Sequence, residues 1–154
     1  MKFEKFVKSL ASSGVISEDS SGNRWLSSPS VCMLIPPTVR SVTASEVVTM
    51  PKKIESMTDA ISNTVPADLY KAIMPYADGG IKDCVRVFAN ATHDILIPIA
   101  NPDYALIEKG DMTEILYRYN EQHDPVAVAL LVKKFDFDPD DAELVGLIFP
   151  VGQE

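Results

Sequence analysis

The sequence lacks the features that secreted and membrane proteins need. It has only two cysteines in 154 residues, which is too few for the disulfide framework of a small secreted domain. No apolar run approaches the roughly 18 residues of a membrane-spanning helix, and the first residues show no apolar stretch typical of a signal peptide. The sequence therefore predicts a soluble, cytoplasmic protein that has no membrane segment.

Motifs of the common catalytic sites are also missing. The chain has no Gly-x-Gly-x-x-Gly and no Gly-x-x-x-x-Gly-Lys-[Ser/Thr], the glycine-rich loops that cradle phosphates. It has no Gly-x-Ser-x-Gly, and its serines cluster in a loop without a neighbouring histidine. These gaps favour a protein that is not an enzyme, and they give no reason to expect a cofactor.

Basic residues are the minority charge. Lysine and arginine number 14 against 22 aspartates and glutamates, which gives a net charge of −8. Proteins that coat nucleic acid normally carry a basic excess, so this balance disfavours that class unless the basic residues gather on one face. The 46% apolar content is that of a globular chain, and the length predicts a single domain over residues 1–154.

The C-terminal half carries the strongest β pattern. Three apolar runs, at 114–119, 126–132 and 144–149, are separated by turn residues and predict a three-stranded antiparallel meander. The run at 126–132 is apolar at every position, so we expect both of its faces to be covered. Further strands are predicted at 24–26, 31–35, 46–49, 84–89 and 95–99. A strand at 104–108 is predicted to pair with 113–119 as a hairpin around Gly110.

Helical patterns are concentrated in the N-terminal half. A helix over residues 2–12 is predicted by apolar residues that share one face: Phe3, Phe6, Val7 and Leu10. Two more helices are predicted, one after Pro51 and one over residues 67–74 after Pro66. The expected fold class is therefore α+β, with a mainly antiparallel sheet from the C-terminal half and two or three N-terminal-half helices packed on one face.

Six lysines on these predicted helices suggest a nucleic-acid interface. If the helices pack side by side, the lysines form a basic strip that could follow a phosphate backbone without reading bases. Polymerase processivity clamps share this plan of basic helices and outer sheets, although only architecture and charge correspond. Ordinary solvated lysines beside an apolar stripe are the favoured interpretation of the pattern. The lysines are Lys2, Lys5, Lys8, Lys52, Lys53 and Lys71.

The acidic loop near the C-terminus has part of a calcium-site pattern. Asp136, Asp138 and Asp140 have the 1, 3, 5 spacing of calcium-binding oxygen ligands. Position six is Asp141 rather than glycine, and position twelve is Leu147 rather than a bidentate glutamate. A solvated acidic turn is therefore favoured over a divalent-cation site.

Two His-Asp dipeptides, His93-Asp94 and His123-Asp124, raise the possibility of a metal-dependent hydrolase. Together with Asp83 or Asp103 they would supply the imidazole and carboxylate ligands that divalent metals take in such enzymes. Both dipeptides fall in predicted turns, which favours two surface turns instead.

The single tryptophan is the remaining candidate for a functional residue. Arg24 and Trp25 follow a polar loop, and this pair of residue types is frequent in interface hot spots; a core position is the alternative. The leading hypothesis is a non-catalytic binding or accessory protein with an unknown protein partner. Self-association through a sheet edge or an apolar face is an expected possibility, and compact acidic proteins of this type are frequent among phage and mobile-element products.

Overall fold

Strands dominate the architecture of the chain. A computed structural model describes residues 1–10, 13–39, 42, 46–49, 63–73, 84–134 and 143–151. The helices in this part of the chain are α1, Phe3–Leu10, and α2, Asn101–Tyr104. The strands are β1 Val15–Glu18, β2 Arg24–Ser27, β3 Val31–Leu34, β4 Glu46–Thr49, β5 Thr64–Pro66, β6 Asp68–Ile73, β7 Val85–Ala89, β8 Leu96–Ala100, β9 Met112–Tyr119, β10 Pro125–Lys134 and β11 Glu143–Ile148.

The predicted α+β fold class is therefore wrong, because the described chain is mostly β-sheet. The helix expected over 67–74 is strand β6, which pairs with β7 along its length. Leu69 and Ile73 fit helical spacing, but their strand is held by that pairing and not by a buried helical stripe. The helix expected after Pro51 lies outside the described residues. Of the predicted N-terminal helices, the structure confirms the first, as α1.

The larger sheet contains the predicted meander. Its strand order is β4-β1-β2-β3-β11-β10-β9-β5. Strands β9, β10 and β11 are consecutive antiparallel neighbours, which confirms the meander prediction. The strands predicted at 24–26 and 31–35 are confirmed as β2 and β3, which pair antiparallel. Strand β4 is present as expected and runs parallel to β1.

The smaller sheet is antiparallel, with the order β6-β7-β8. Pro98 lies in β8, an edge strand of this sheet, as its missing N–H predicts. The backbone N–H of Val151 donates to the Pro98 carbonyl, 3.0 Å away. The hairpin expected between 104–108 and 113–119 is wrong, because Tyr104 ends helix α2, which Pro102 favours at its first turn. Gly110 nevertheless has the positive φ predicted for it, 102°.

The core lies on both faces of β10. Leu130 and Val132 belong to one cluster of buried residues, and Ala129 and Leu131 belong to a second, with all four side chains 0% exposed. Alternate residues of a strand point to opposite faces, so the prediction of double coverage is confirmed. Helix α1 contributes to the first cluster through Phe6, which is 2% exposed. None of the helices among the described residues has the length and apolarity that a bilayer crossing demands.

Candidate functional site

Two hairpin turns of the structure share a sequence pattern. Residues 90–94 connect β7 to β8 and read Asn-Ala-Thr-His-Asp, and residues 120–124 connect β9 to β10 and read Asn-Glu-Gln-His-Asp. Each turn therefore begins with asparagine and ends with histidine and aspartate. This shared pattern predicts a shared turn geometry.

The two turns have similar hydrogen bonds, although the first turn closes one residue later than the second. The backbone N–H groups of His93 and His123 donate to the carbonyls of Asn90 and Asn120, at 3.0 and 2.9 Å respectively. The side-chain Oδ1 of Asn90 accepts from the backbone N–H of Ile95 at 3.0 Å. The Oδ1 of Asn120 accepts from the backbone N–H of Asp124 at 2.9 Å. Asparagine at the first position thus ties each turn closed.

Both histidines occupy the left-handed region of backbone space. Their φ angles are 59° for His93 and 63° for His123. A side chain with a Cβ costs about 1 kcal/mol or more in this region, whereas glycine adopts it freely. Glycine would therefore suit the backbone of both turns better than histidine, although histidine is more frequent in this region than most residues with a Cβ.

Each imidazole packs against a tyrosine on a strand. The rings of His93 and Tyr70 have centroids 4.2 Å apart at an angle of 33°. The rings of His123 and Tyr119 are stacked, with centroids 4.8 Å apart and planes 14° from parallel. The two tyrosines remain open to solvent, at 46% exposed for Tyr70 and 50% for Tyr119. Both rings are therefore held against a histidine and remain accessible to solvent.

Tyr117 contacts the second of the two histidine–tyrosine pairs. Its ring meets that of Tyr119 edge to face, at a centroid distance of 5.7 Å. A hydrogen bond with Tyr119 and the charge of that residue raise the pKa of the Tyr117 phenol, and the charge of Asp94 adds to this rise. The Asp94 carboxylate of the first turn thus acts on a ring that contacts the second pair. We call this set the histidine–tyrosine surface; it comprises Tyr70, His93, Asp94, Tyr117, Tyr119 and His123.

Acidic groups border these rings. Hydrogen bonds from the Thr92 hydroxyl and from Asn90 Nδ2, the latter 2.5 Å away, lower the pKa of Asp94. Beside Tyr70 and His93 lies a shallow cavity of about 220 Å³, which the exposed carboxylate of Asp68 also lines. The surface therefore combines aromatic rings with negative charge.

In the described part of the chain the two histidines do not form the predicted metal cluster, and Asp83 lies outside that part. They contact different tyrosines, and among the described residues no group of three His, Cys, Asp or Glu side chains could hold a metal ion. The structure therefore gives no support to a hydrolase that uses His93 and His123. The turn prediction for both dipeptides is confirmed. The acidic triplet of Asp136, Asp138 and Asp140 lies outside the described residues.

Arg24 and Trp25 are held within the protein. Trp25 is 3% exposed, and its Nε1 donates to Asp19 Oδ2 at 3.0 Å. The Nη2 of Arg24 donates to the Val39 carbonyl at 2.8 Å. This placement favours the core interpretation of Trp25 over an exposed partner anchor.

The six lysines do not share the helical setting that was predicted for them. Lys5 and Lys8 lie in α1 and Lys2 directly precedes it, whereas Lys71 lies in strand β6. Lys52 and Lys53 lie outside the described residues. The expected strip across three neighbouring helices is therefore not formed by the described lysines, because β6 replaces the third helix.

Comparison with known proteins adds no relative: no family model, no curated protein and no solved structure matches the chain. Sequence reasoning noticed the His-Asp dipeptides but missed the histidine–tyrosine surface. The signal that could have found it is the repeated Asn-x-x-His-Asp pattern between β-rich runs. The contact of Tyr70 with His93 could not be found in this way, because it depends on how β6 pairs with β7.

Proposed function

We propose that this chain is a non-catalytic binding or accessory protein of the cytoplasm, and that it contacts a protein partner through the histidine–tyrosine surface. The observation that carries the proposal is the pair of exposed tyrosines, Tyr70 and Tyr119, each packed on a histidine in the left-handed region. The two cysteines are buried and free, which supports a reducing compartment.

Ordered tyrosines suit protein recognition. Tyrosine is enriched in the centres of interfaces, where it supplies a large contact area with few rotatable bonds. The stacks on His93 and His123 already restrict the rings of Tyr70 and Tyr119. Less side-chain entropy is then lost on binding, so more of the contact energy is available as affinity.

The charge of the surface indicates a basic partner. Asp68, Asp94 and Asp124 are all exposed beside the rings, and the whole chain carries a net charge of −8. Such a field attracts a positively charged partner and accelerates its association. Arginine is the best-suited side chain, because its guanidinium can stack on a tyrosine face while it pairs with a carboxylate.

Site-specific cross-linking tests this proposal. A photoreactive p-benzoylphenylalanine is placed at Tyr70, at Tyr119 and, as a control, at the exposed Lys109. We expect one protein adduct common to positions 70 and 119 in extract of the source cells, and no such adduct at 109. The purified partner should then bind the Tyr70→Ala/Tyr119→Ala variant at least about tenfold more weakly. Absence of a shared adduct, or adducts formed with nucleic acid, would refute the proposal.

A further inference from the structure

Strand β6 is an edge strand that is exposed over its whole length. Every residue from Asp68 to Ile73 is exposed, and among the described residues only β7 pairs with this strand. Three large apolar side chains are included, with Leu69 at 41%, Tyr70 at 46% and Ile73 at 48% exposed. A free edge with apolar side chains is a template for another strand.

A bulge sets which side chains of β6 share a face. Asp68 is opposite Ala89 and Lys71 is opposite Val87, while Tyr70 has no partner in the ladder. Ala89 and Val87 are two residues apart in a strand, so they point to the same face, and residues directly opposite one another share a face. Asp68 and Lys71 therefore lie on one face, although a regular strand would place them on opposite faces.

This arrangement makes the edge complementary to itself. In an antiparallel pair of β6 strands related by a two-fold axis between residues 69 and 70, Asp68 of one copy faces Lys71 of the other. The symmetry repeats this ion pair, and Leu69 of each copy then faces Tyr70 of the other. In the described part of the chain, neither Asp68 nor Lys71 has an ion-pair partner of its own.

We propose that a second copy of this chain pairs with β6 in this register, so that the two three-stranded sheets join into one sheet of six strands. A lysine and a bulge normally protect an edge from stray pairing. Here the aspartate of the second copy neutralises Lys71, and the bulge brings the two charges to one face. The edge therefore disfavours strands that lack this charge order and accepts its own sequence.

This self-association is tested separately from the proposed partner binding, although Tyr70 and Asp68 belong to both surfaces. It uses the charges of Asp68 and Lys71 and the main chain of β6, whereas Tyr119 and His123 lie on another strand and turn. A dimer would carry two histidine–tyrosine surfaces in one particle. Failure of one proposal therefore does not refute the other. Sedimentation tests the self-association, and cross-linking at position 119 tests the partner binding.

Charge reversal and its rescue test the dimer. Sedimentation velocity over a concentration series is measured for the full chain, for Asp68→Lys, for Lys71→Asp and for the double variant Asp68→Lys/Lys71→Asp. Lys109→Asp is the matched control at an exposed position outside β6. We expect the wild type and the control to dimerise. Each single reversal should weaken self-association roughly tenfold or more, because it places like charges opposite each other twice, and the double variant should restore it.

Two outcomes would overturn the inference. The first is a wild type that stays monomeric at every concentration, a measurement that needs no variant to fold. The second is a dimer that the single reversals leave intact or that the double reversal fails to restore, since either result places the contact elsewhere. Circular dichroism of each variant identifies a loss of fold, and the wild-type result at low and high salt then decides, because the predicted ion pairs weaken with salt.

Discussion

The indole Nε1 of Trp25 donates a hydrogen bond to Oδ2 of Asp19 at 3.0 Å, inside the hairpin that joins β1 to β2. The other oxygen of the same carboxylate accepts from the backbone N–H groups of Ser21 and Asn23, both at 2.9 Å. Asp19 therefore holds the turn and the core tryptophan together. This explains why an aspartate is 9% exposed in a small β protein.

The first prediction concerns acid sensitivity at Asp19. Burial raises its pKa, but the hydrogen bonds from Trp25, Asn23 and Ser21 lower it by more, so the pKa lies below the ordinary 3.8. A depressed carboxyl pKa stabilises the fold above the unfolded value, and this stability is lost as pH falls through the folded value. Asp19→Asn should therefore cost about 2 kcal/mol at pH 7 and much less near pH 2.

Urea unfolding at a series of pH values measures this difference. The exposed Asp68→Asn is the control. Under conditions that keep the chain monomeric, we expect it to change the free energy of unfolding by less than about 0.5 kcal/mol. An Asp19→Asn variant whose deficit is the same at acidic and neutral pH would contradict the linkage.

The second prediction concerns Asp103 in helix α2, for which we expect stability to change with pH in the opposite direction. Burial raises its pKa, and the hydrogen bond from Ser30 lowers it by less, so the folded value lies above the ordinary 3.8. The folded state then binds the proton more tightly, and stability is lost as pH rises through the raised value. Asp103→Asn should therefore stabilise the protein at pH 7 by roughly 0.5 kcal/mol, a gain limited by partial solvent screening.

The same pH series checks this prediction, because the advantage of Asp103→Asn should vanish near pH 3, where the wild-type carboxyl is protonated. Asp103→Ala serves as a comparison that also loses the contact with Ser30. If the asparagine variant is less stable than the wild type at neutral pH, the carboxylate is favourable in its ionised form and the assigned direction is wrong.

The fold could be predicted from the sequence where the apolar residues of a segment follow a regular spacing and the segment is buried on one face or on both. The meander of β9, β10 and β11 and the amphipathic helix α1 both have such patterns. Strand β6 does not, because all of its residues are exposed and its Leu69 and Ile73 fit helical spacing. Helix α2 has only four residues, which is too short for any periodic signal.

The candidate site was predictable only in its sequence-local part. Tyr119 and His123 are four residues apart in one hairpin, so their contact can be predicted from the local sequence. The contact of Tyr70 with His93 instead requires the pairing of β6 with β7, which is a tertiary event. Likewise the parallel pairing of β1 with β4 joins segments separated by some thirty residues, and no local pattern encodes it.

The third prediction tests the double coverage of β10. Leu130 and Leu131 are both 0% exposed but belong to different core clusters. Truncation to alanine should cost about 3 kcal/mol at each position, because each opens a cavity on its own face of the sheet. Leu69→Ala, at a 41% exposed position of β6, is the control and should cost well under about 1 kcal/mol in the monomer.

Denaturant unfolding of the two variants under conditions that keep the chain monomeric measures these costs. If one of the two leucines proved as tolerant as Leu69, that face of β10 would be uncovered in solution.

The last prediction separates stability from binding at the histidine turns. At His123, with φ at 63°, alanine keeps the backbone penalty and loses the stack on Tyr119, whereas glycine removes the penalty. His123→Gly should therefore be more stable than His123→Ala by about 1 kcal/mol, or about 2–4 °C in Tm. At an extended position the order reverses, because glycine loses more backbone entropy on folding. Thermal unfolding of the same pair of substitutions at Val126 in β10 provides that control.

If the imidazole of His123 is needed for partner binding, both His123 variants should bind the partner equally poorly despite their different stabilities. A mere loss of fold would instead make binding follow Tm, with glycine close to the wild type. Equal melting temperatures for His123→Gly and His123→Ala would show that the left-handed backbone carries no penalty. Histidine at that position would then require no functional explanation, and the structural basis for choosing this surface would be gone.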